Sequence, residues 1–228
     1  MPTLDWLKTT YHYGYDSGKV LSLIPDSTRR KEEKLIGGSY RKVFLKAIYP
    51  YIHSNSVVLE IGPGKGSWSK AILKYIPNGK LHTVDFQNVE KWLNPERYNG
   101  RLFCHQVEDN SYYSTFENEY FDFCWSFGVL CHNNLEHIEE ILRNILPKMK
   151  VGGIAVHQYS DWEKLEKYGW KKCGVPREFK NKPDDEIWWS RNTQAVMSSL
   201  ASKLGWTVIC SDLQLIKRDS IIVMQRNN

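Results

Sequence analysis

The chain has 228 residues, which suits one ordinary α/β domain with a sizeable core. A charged fraction of 25% and a hydrophobic fraction of 41% are typical of a soluble globular protein. No apolar run approaches the roughly 20 residues that a membrane helix requires, so we expect no membrane association. The first residues, 1–7, are polar rather than basic and then apolar, which predicts a cytoplasmic protein without a secretory signal.

The formal charge of +5 does not indicate a nucleic-acid partner, because the positive residues are scattered. The one dense basic run, residues 29–31, is followed at once by Glu32 and Glu33, as on a solvated helix face. The five cysteines are an odd number without a CxxC pair, which predicts free thiols in a reducing compartment. No His/Asp/Glu cluster has clear metal-ligand spacing, so we expect no metal site.

An aromatic and polar segment comes first, and we predict that residues 1–37 form an N-terminal lid. Its second half, residues 27–36, has the charge pattern of a short helix that Gly37 and Gly38 end. Apolar residues at helical spacing then predict a helix that covers residues 40–48 and stops at Pro50. The core domain is predicted to be residues 38–228, with an insertion at 159–191 where charge, proline and tryptophan replace regular patterns.

Strand and helix patterns alternate through the core, which is typical of a wound α/β unit. The predicted strands cover residues 57–61, 81–85, 102–107, 121–126, 154–158, 206–216 and 220–226. The predicted helices cover residues 67–76, 134–150 and 193–204. The last two strands are joined by the short polar link 217–219 and should form an antiparallel hairpin. The fold class is therefore α/β: a single doubly wound, seven-stranded, mostly parallel sheet with an antiparallel last strand and helices on both faces.

A glycine turn follows the first strand, with glycines at 62, 64 and 66. Glycines allow positive φ and let the backbone lie against a ligand, while the first amides of the next helix carry partial positive charge. Dinucleotide-binding domains use GxGxxG, but Ser67 occupies the position of that third glycine. The spacing GxGxG therefore favours a different nucleotide-like cofactor and disfavours an NAD-dependent oxidoreductase.

From about Val43 to Arg226, the chain resembles class I S-adenosylmethionine-dependent methyltransferases of the small-molecule or sugar type. The glycine turn and the closing hairpin carry this resemblance. The resemblance implies S-adenosylmethionine as cofactor, with its methionine part beside the turn residues Gly62, Pro63, Gly64 and Gly66. It also implies that Glu60, inside the first strand, bonds to the amino group of the cofactor. The alternative is that Glu60 only caps amides near the turn.

The ends of the next strands supply further cofactor contacts that the resemblance implies. Asp85 ends the second strand, where a carboxylate can accept hydrogen bonds from both ribose hydroxyls, and Phe86 would pack on the adenine. The family places an acidic residue near the end of the third strand against the adenine amino group. Glu108 and Asp109 stand side by side there, and the sequence does not choose between them.

The fourth strand ends in Ser126 and Phe127, which resemble the family's fourth motif along the cofactor. His132 follows and is the first candidate for a general base, because an ordinary histidine pKa of about 6.5 suits proton abstraction at neutral pH. His157 and Tyr159, at the end of the fifth strand, compete for that role. His132 could instead only precede a helix, and His157 could be a core histidine.

The N-terminal segment and the insertion at 159–191 are both rich in aromatic residues, which suit a partly closed pocket for a small polar molecule. These aromatic residues are Trp6, Tyr11, Tyr13, Tyr15, Trp162, Tyr168, Trp170, Trp188 and Trp189. The alternative is that these rings only anchor two long loops. We therefore expect methyl transfer to a small polar acceptor, with a sugar hydroxyl preferred. The alternatives are a small amine, RNA or protein as acceptor, or a cofactor-binding module without catalysis; oligomeric state is not indicated.

Overall fold

The computed structural model describes residues 19–227 as a central seven-stranded sheet in the order β3-β2-β1-β4-β5-β7-β6. The strands are β1 Val57–Ile61, β2 Lys80–Asp85, β3 Leu102–Gln106, β4 Phe121–Ser126, β5 Met149–Ser160, β6 Trp206–Cys210 and β7 Asp219–Arg226. The pairs among β1 to β5 are parallel, and β7 runs antiparallel to both β5 and β6. This confirms the predicted fold class. The predicted aromatic residues before Lys19 lie outside the described residues.

The helices follow the chain as α1 Ser27–Ile36, α2 Tyr40–Val43, α3 Ser67–Tyr75, α4 Glu90–Leu93, α5 Leu135–Ile145, α6 Trp162–Tyr168, α7 Trp170–Cys173 and α8 Gln194–Lys203. A π-helical turn, Phe44–Ile48, continues α2, so the predicted helix at 40–48 is real but not uniformly α. Local side chains set the helix ends. Asp26 accepts a hydrogen bond from the N–H of Arg29 at the start of α1, and Gly37 ends α1 with φ of 66°.

Two apolar cores lie on the two faces of the sheet, because β1, β4 and β5 are buried on both sides. One core packs α1, α2 and α3 against residues such as Val58 and Phe123. The other packs α5 and α8 against residues such as Leu59 and Cys124. Neighbouring strand residues thus alternate between the cores, as the period of two requires.

Three predicted elements need new boundaries. The sixth strand ends at Cys210 rather than at residue 216. Asp212 causes the break, since its Oδ1 accepts hydrogen bonds from the N–H groups of Gln214 and Ile221 in place of a strand partner. The fifth strand is longer than predicted and continues to Ser160 through buried polar residues. The helix predicted at 134–150 ends at Ile145, before the Leu146–Lys148 turn that contains a proline.

The insertion at 159–191 is folded around a third apolar cluster, which joins α6, α7 and the following turns to Cys131. Its indole rings contact one another: the centroids of Trp162 and Trp170 are 4.9 Å apart, and those of Trp188 and Trp189 are 5.8 Å apart. These aromatic side chains therefore pack mainly among themselves. Of residues 19–227, no helix is long and apolar enough to cross a membrane.

Candidate active site

A cleft of about 1090 Å³, including its open mouth, lies at the carboxyl ends of β1, β2 and β4. The sheet order reverses between β1 and β4, and ligands of wound α/β sheets bind at such a switch point. The residues that line it are Tyr40, Ile61, Gly62, Pro63, Gly64, Lys65, Ser67, Trp68, Val84, Asp85, Phe86, Val107, Asn110, Tyr113, Phe127, Gly128, Val129, His132, Asn133 and Ile141.

The glycine turn forms one wall of the cleft and requires its glycines. Gly62, Gly64 and Gly66 all have positive φ, at 65°, 54° and 81°. At Gly62 a Cβ atom would lie 2.4 Å from the Cγ2 of Val129, so the turn packs directly against the segment that follows β4. The predicted turn residues 62–64 therefore line the cleft, while Gly66 is the N-cap residue of α3 and is not part of the lining.

The ends of β2 and β3 form the second wall. Asp85 and Phe86 line the cleft, and the Oδ1 of Asp85 accepts a hydrogen bond from the N–H of Gln87. Their contacts with the cofactor stay a prediction. Beyond β3, the residues that line the cleft are Val107, Asn110 and Tyr113.

The acidic pair predicted after β3 lies outside this lining. Glu108 and Asp109 are both exposed. The Oδ1 of Asp109 accepts a hydrogen bond from the N–H of Ser111 and caps the turn Asn110–Thr115. That turn delivers Asn110 and Tyr113 to the cleft, which the sequence did not reveal, because six residues without periodicity carry no sign of a 3₁₀ turn.

Glu60 is buried one residue before the cleft lining begins, on the face of β1 that packs against α3. The hydroxyl of Ser69 donates a hydrogen bond to its Oε2 at 2.5 Å. Burial, together with the nearby charge of Asp85, raises the pKa of Glu60 to about 8 despite the hydrogen bond from Ser69. Its contact with the cofactor stays a prediction.

The segment after β4 forms the third wall and brings Phe127, Gly128, Val129, His132 and Asn133 to the cleft. Ser126 comes just before it and has no exposed surface; it pairs instead with His157. Two bonds hold the segment in shape, since Val129 O accepts from the N–H of His132 and from the Nδ2 of Asn133.

His132 is the titratable group of this wall. Its Nδ1 lies 2.9 Å from the carbonyl oxygen of Trp188, and because a carbonyl can only accept, Nδ1 carries the proton and Nε2 the lone pair. Burial lowers the pKa of His132 to about 4, with the charge of Arg218 acting in the same direction and the Trp188 hydrogen bond opposing it. The imidazole is therefore neutral near pH 7.

The other two candidate bases lie in the core rather than along the cleft. The Nδ1 of His157 is 2.8 Å from the hydroxyl of Ser126, and burial lowers the pKa of His157 to about 3. The hydroxyl of Tyr159 donates to the carbonyl of Ser211 at 2.9 Å, and burial raises its pKa. Neither side chain has exposed surface or lines the cleft, so the geometry favours His132 over both.

Three aromatic rings pack together along the cleft. The sequence indicated Tyr40 and Trp68 only as helix positions, whereas it predicted Phe127 as a cofactor contact. Tyr40, Trp68 and Phe127 contact one another with centroids 5.2 to 5.7 Å apart. The rings of the insertion do not line the cleft. They reach it through His132, whose ring centroid lies 6.0 Å from that of Trp188 and 5.1 Å from that of Trp189.

A doubly wound sheet with a glycine turn, a carboxylate on the next strand and a reversed last strand defines a Rossmann-like protein that binds a nucleotide-like cofactor. A sequence profile described as a methyltransferase domain matches residues 29–212. The chain therefore belongs to the methyltransferase domain family and is an S-adenosylmethionine-dependent methyltransferase.

Solved structures show the same fold at low sequence identity. A 1,6-didemethyltoxoflavin-N1-methyltransferase from Burkholderia thailandensis, solved with 1,6-didemethyltoxoflavin and S-adenosylhomocysteine, has 13% identity and a TM-score of 0.60. That match covers 89% of this chain and 82% of the other. A SAM-dependent methyltransferase from Aquifex aeolicus has 15% identity and a TM-score of 0.61, over 92% of this chain and 98% of the other. No curated protein matches the sequence significantly.

Proposed function

We propose that this methyltransferase methylates a hydroxyl group of a small polar acceptor, such as a sugar or a related metabolite, and that His132 receives the hydroxyl proton. The observation that carries the proposal is the fixed tautomer of His132 in the cleft wall. When bound, S-adenosylmethionine supplies an electrophilic methyl group on a sulfonium.

The residues present fit that cofactor. Gly62 and Gly64 line the cleft at positive φ and without side chains, so the cofactor could lie directly against their backbone. Asp85 would accept hydrogen bonds from the ribose hydroxyls, and Phe86 would pack on the adenine. Asn110, at the same end of the cleft, would bond to the adenine edge in place of Glu108 or Asp109.

His132 would act late rather than early in the reaction. With a pKa of about 4, its Nε2 is too weak a base to ionise an alcohol in advance. A hydroxyl becomes strongly acidic as its oxygen gains a methyl group, and Nε2 can then take the proton. The Trp188 carbonyl stabilises the resulting imidazolium, because it accepts the Nδ1 proton throughout.

The aromatic wall supports a small acceptor. Tyr40, Trp68 and Phe127 present flat, largely apolar faces, on which the C–H face of a sugar ring or of a similar ring can pack. His132 and Asn133 supply polar groups from the neighbouring wall, so one face of the acceptor meets rings and one edge meets hydrogen-bonding groups.

The test uses S-adenosylmethionine labelled with tritium in the methyl group, incubated with the purified protein and a cell extract. The native protein should label the small-molecule fraction, and stability of the product in mild alkali distinguishes a methyl ether from a methyl ester, which alkali hydrolyses with release of labelled methanol. His132→Ala should lower that labelling by about 100-fold or more. The control is His137→Ala, which removes an exposed histidine of α5 and should leave labelling unchanged.

Other outcomes contradict the proposal in separate ways. Label that enters protein or RNA identifies a macromolecular acceptor, and an N-methyl product identifies an amine. Cofactor binding without transfer of the labelled methyl group to any fraction would indicate a cofactor-binding module without catalysis. Equal labelling by the native protein and His132→Ala would show that His132 does not receive the hydroxyl proton.

A further inference from the structure

The segment after β4 is held from behind by a buried glutamine. Gln158 lies in β5 without exposed surface, and its Oε1 accepts a hydrogen bond from the N–H of Gly128 at 2.7 Å. Gly128 lines the cleft with φ of 76°, and a Cβ atom there would meet open space. The bond thus fixes the backbone where it leaves the sheet and turns along the cleft.

Gln158 belongs to a layer of polar side chains near the carboxyl ends of β4 and β5. Its members have no exposed surface; they are Ser126, His157, Gln158, Ser160, Asp161, Asp219 and Ser220. Burial of polar groups is unfavourable unless they are hydrogen-bonded. Several of these bonds go to loops around the cleft. Besides Gln158, the hydroxyl of Ser160 donates to the carbonyl of Ser190 at 2.6 Å.

The His132 end of the same segment is held by the insertion. The N–H of Ser190 donates to the carbonyl of Cys131 at 2.8 Å, next to the bond between His132 and Trp188. Behind them, Arg218 lies 4.4 Å over the ring of Trp189 and forms a buried ion pair with Asp219 at 2.8 Å. With that end fixed, Gln158 is the anchor of the Gly128 end.

A role for Gln158 in the sheet alone does not account for these contacts. The strand β5 is paired through its backbone with β4 on one side and β7 on the other. The side chain of Gln158 bonds instead to a loop amide. Burial raises the pKa of the nearby Asp219 carboxyl, and Arg218 and, to a smaller extent, Gln158 oppose that rise. A hydrocarbon side chain would suit the sheet equally well.

We propose that Gln158 is a positioning residue for methyl transfer, which holds the Gly128 end of the segment so that His132 faces the acceptor. The proposal rests on the proposed function of His132. It assigns to Gln158 no contact with substrate or cofactor, and it predicts that loss of the Gly128 bond loosens residues 127–133 and reorients the imidazole.

The experiment compares the native protein with Gln158→Met, which removes the acceptor, and with Gln158→Glu, whose carboxyl oxygen can still accept from Gly128. The matched control is Ser56→Ala. The Oγ of the buried Ser56 also accepts a backbone N–H, that of His53 at 2.8 Å, but at the opposite end of the sheet. If Gln158→Met does not fold, Gln158→Asn gives the same test, because its shorter amide cannot reach Gly128.

Two readouts need no acceptor: hydrogen exchange of the peptide 127–133 and the imidazole ¹⁵N spectrum of His132. We expect exchange in that peptide to rise about five- to tenfold in Gln158→Met, from the loss of one hydrogen bond. The His132 signals should shift in the same variant, Gln158→Glu should restore both readouts, and Ser56→Ala should change neither.

Unchanged exchange and an unchanged His132 spectrum in Gln158→Met would overturn the proposal. So would equal changes in Ser56→Ala, since they would reflect general destabilisation. These results are independent of the labelling experiment: if His132→Ala kept full transfer while Gln158→Met still loosened the segment, the proposed function would fail and the anchoring would stand.

Discussion

At the scale of single residues, Glu60 shows how one buried acid can link the fold to pH. The group has an ordinary pKa of 4.5 when unfolded and about 8 when folded, because burial disfavours its charged form. As the pH rises from 4.5 to 8, the unfolded chain loses the proton while the folded protein keeps it. Native stability therefore falls across this window.

Glu60→Gln removes that titration and keeps the shape of the neutral carboxyl group. We expect the melting temperatures of the native protein and the variant to be closest at pH 4.5, and the variant to become the more stable of the two as the pH approaches 8. Thermal unfolding followed by circular dichroism at several pH values measures the difference. A constant difference, or one that favours the native protein at high pH, would mean that Glu60 is ionised in the fold.

At the scale of elements, a hydrogen-bonded row of four side chains, Tyr120, His82, His105 and Tyr112, joins β2 and β3 to the turn that carries Asn110 and Tyr113. His82 Nδ1 lies 3.0 Å from His105 Nε2, and the hydroxyls of Tyr120 and Tyr112 bond to the outer nitrogens at 3.2 and 2.8 Å. Burial, with the charges of His105 and Lys80, lowers the pKa of His82 from 6.5 to about 4. Burial also lowers the pKa of His105, so both imidazoles are neutral near pH 7.

The buried His82 of this row predicts a loss of stability in acid. Above pH 6.5, His82 is neutral in both the folded and the unfolded protein. As the pH falls from 6.5 to about 4, His82 binds a proton in the unfolded protein but stays neutral in the folded one. The free energy of unfolding should decrease across that range. His82→Gln should flatten the decrease, whereas the exposed His137→Gln should preserve it. Urea titrations at each pH measure both, and an equal slope in all three proteins would contradict the account.

The elements were predictable from sequence where burial imposes a simple pattern. The strand Phe121–Ser126 and the helix Ser27–Ile36 have the predicted bounds, because the first is apolar at alternate positions and the second lies between Asp26 and Gly37. The length of β5 was not predictable, since its last residues are polar and yet buried. A run of polar residues such as this one is typical of a loop in sequence, and only its partners on other strands show that it is a buried strand.

At the scale of the whole molecule, the glycine turn and the end of β2 were more predictable than the aromatic wall of the cleft. The turn at 62–66 and Asp85 each follow a strand that the sequence pattern indicates. The aromatic wall combines Tyr40, Trp68 and Phe127 from three separate segments, and sequence patterns do not show that these meet. Only the folded chain shows that the insertion contributes a carbonyl behind His132 rather than the rings of a lid.

Calorimetric titration measures whether the cleft binds S-adenosylmethionine against the glycine turn. Gly62→Ala places a Cβ atom 2.4 Å from Val129, whereas Gly152→Ala makes the same change at a glycine with φ of 80° and no atom nearby. We predict that the native protein and Gly152→Ala bind one equivalent of cofactor, and that Gly62→Ala binds at least about tenfold more weakly. No binding by the native protein, or equal binding by Gly62→Ala, would contradict cofactor binding against the glycine turn.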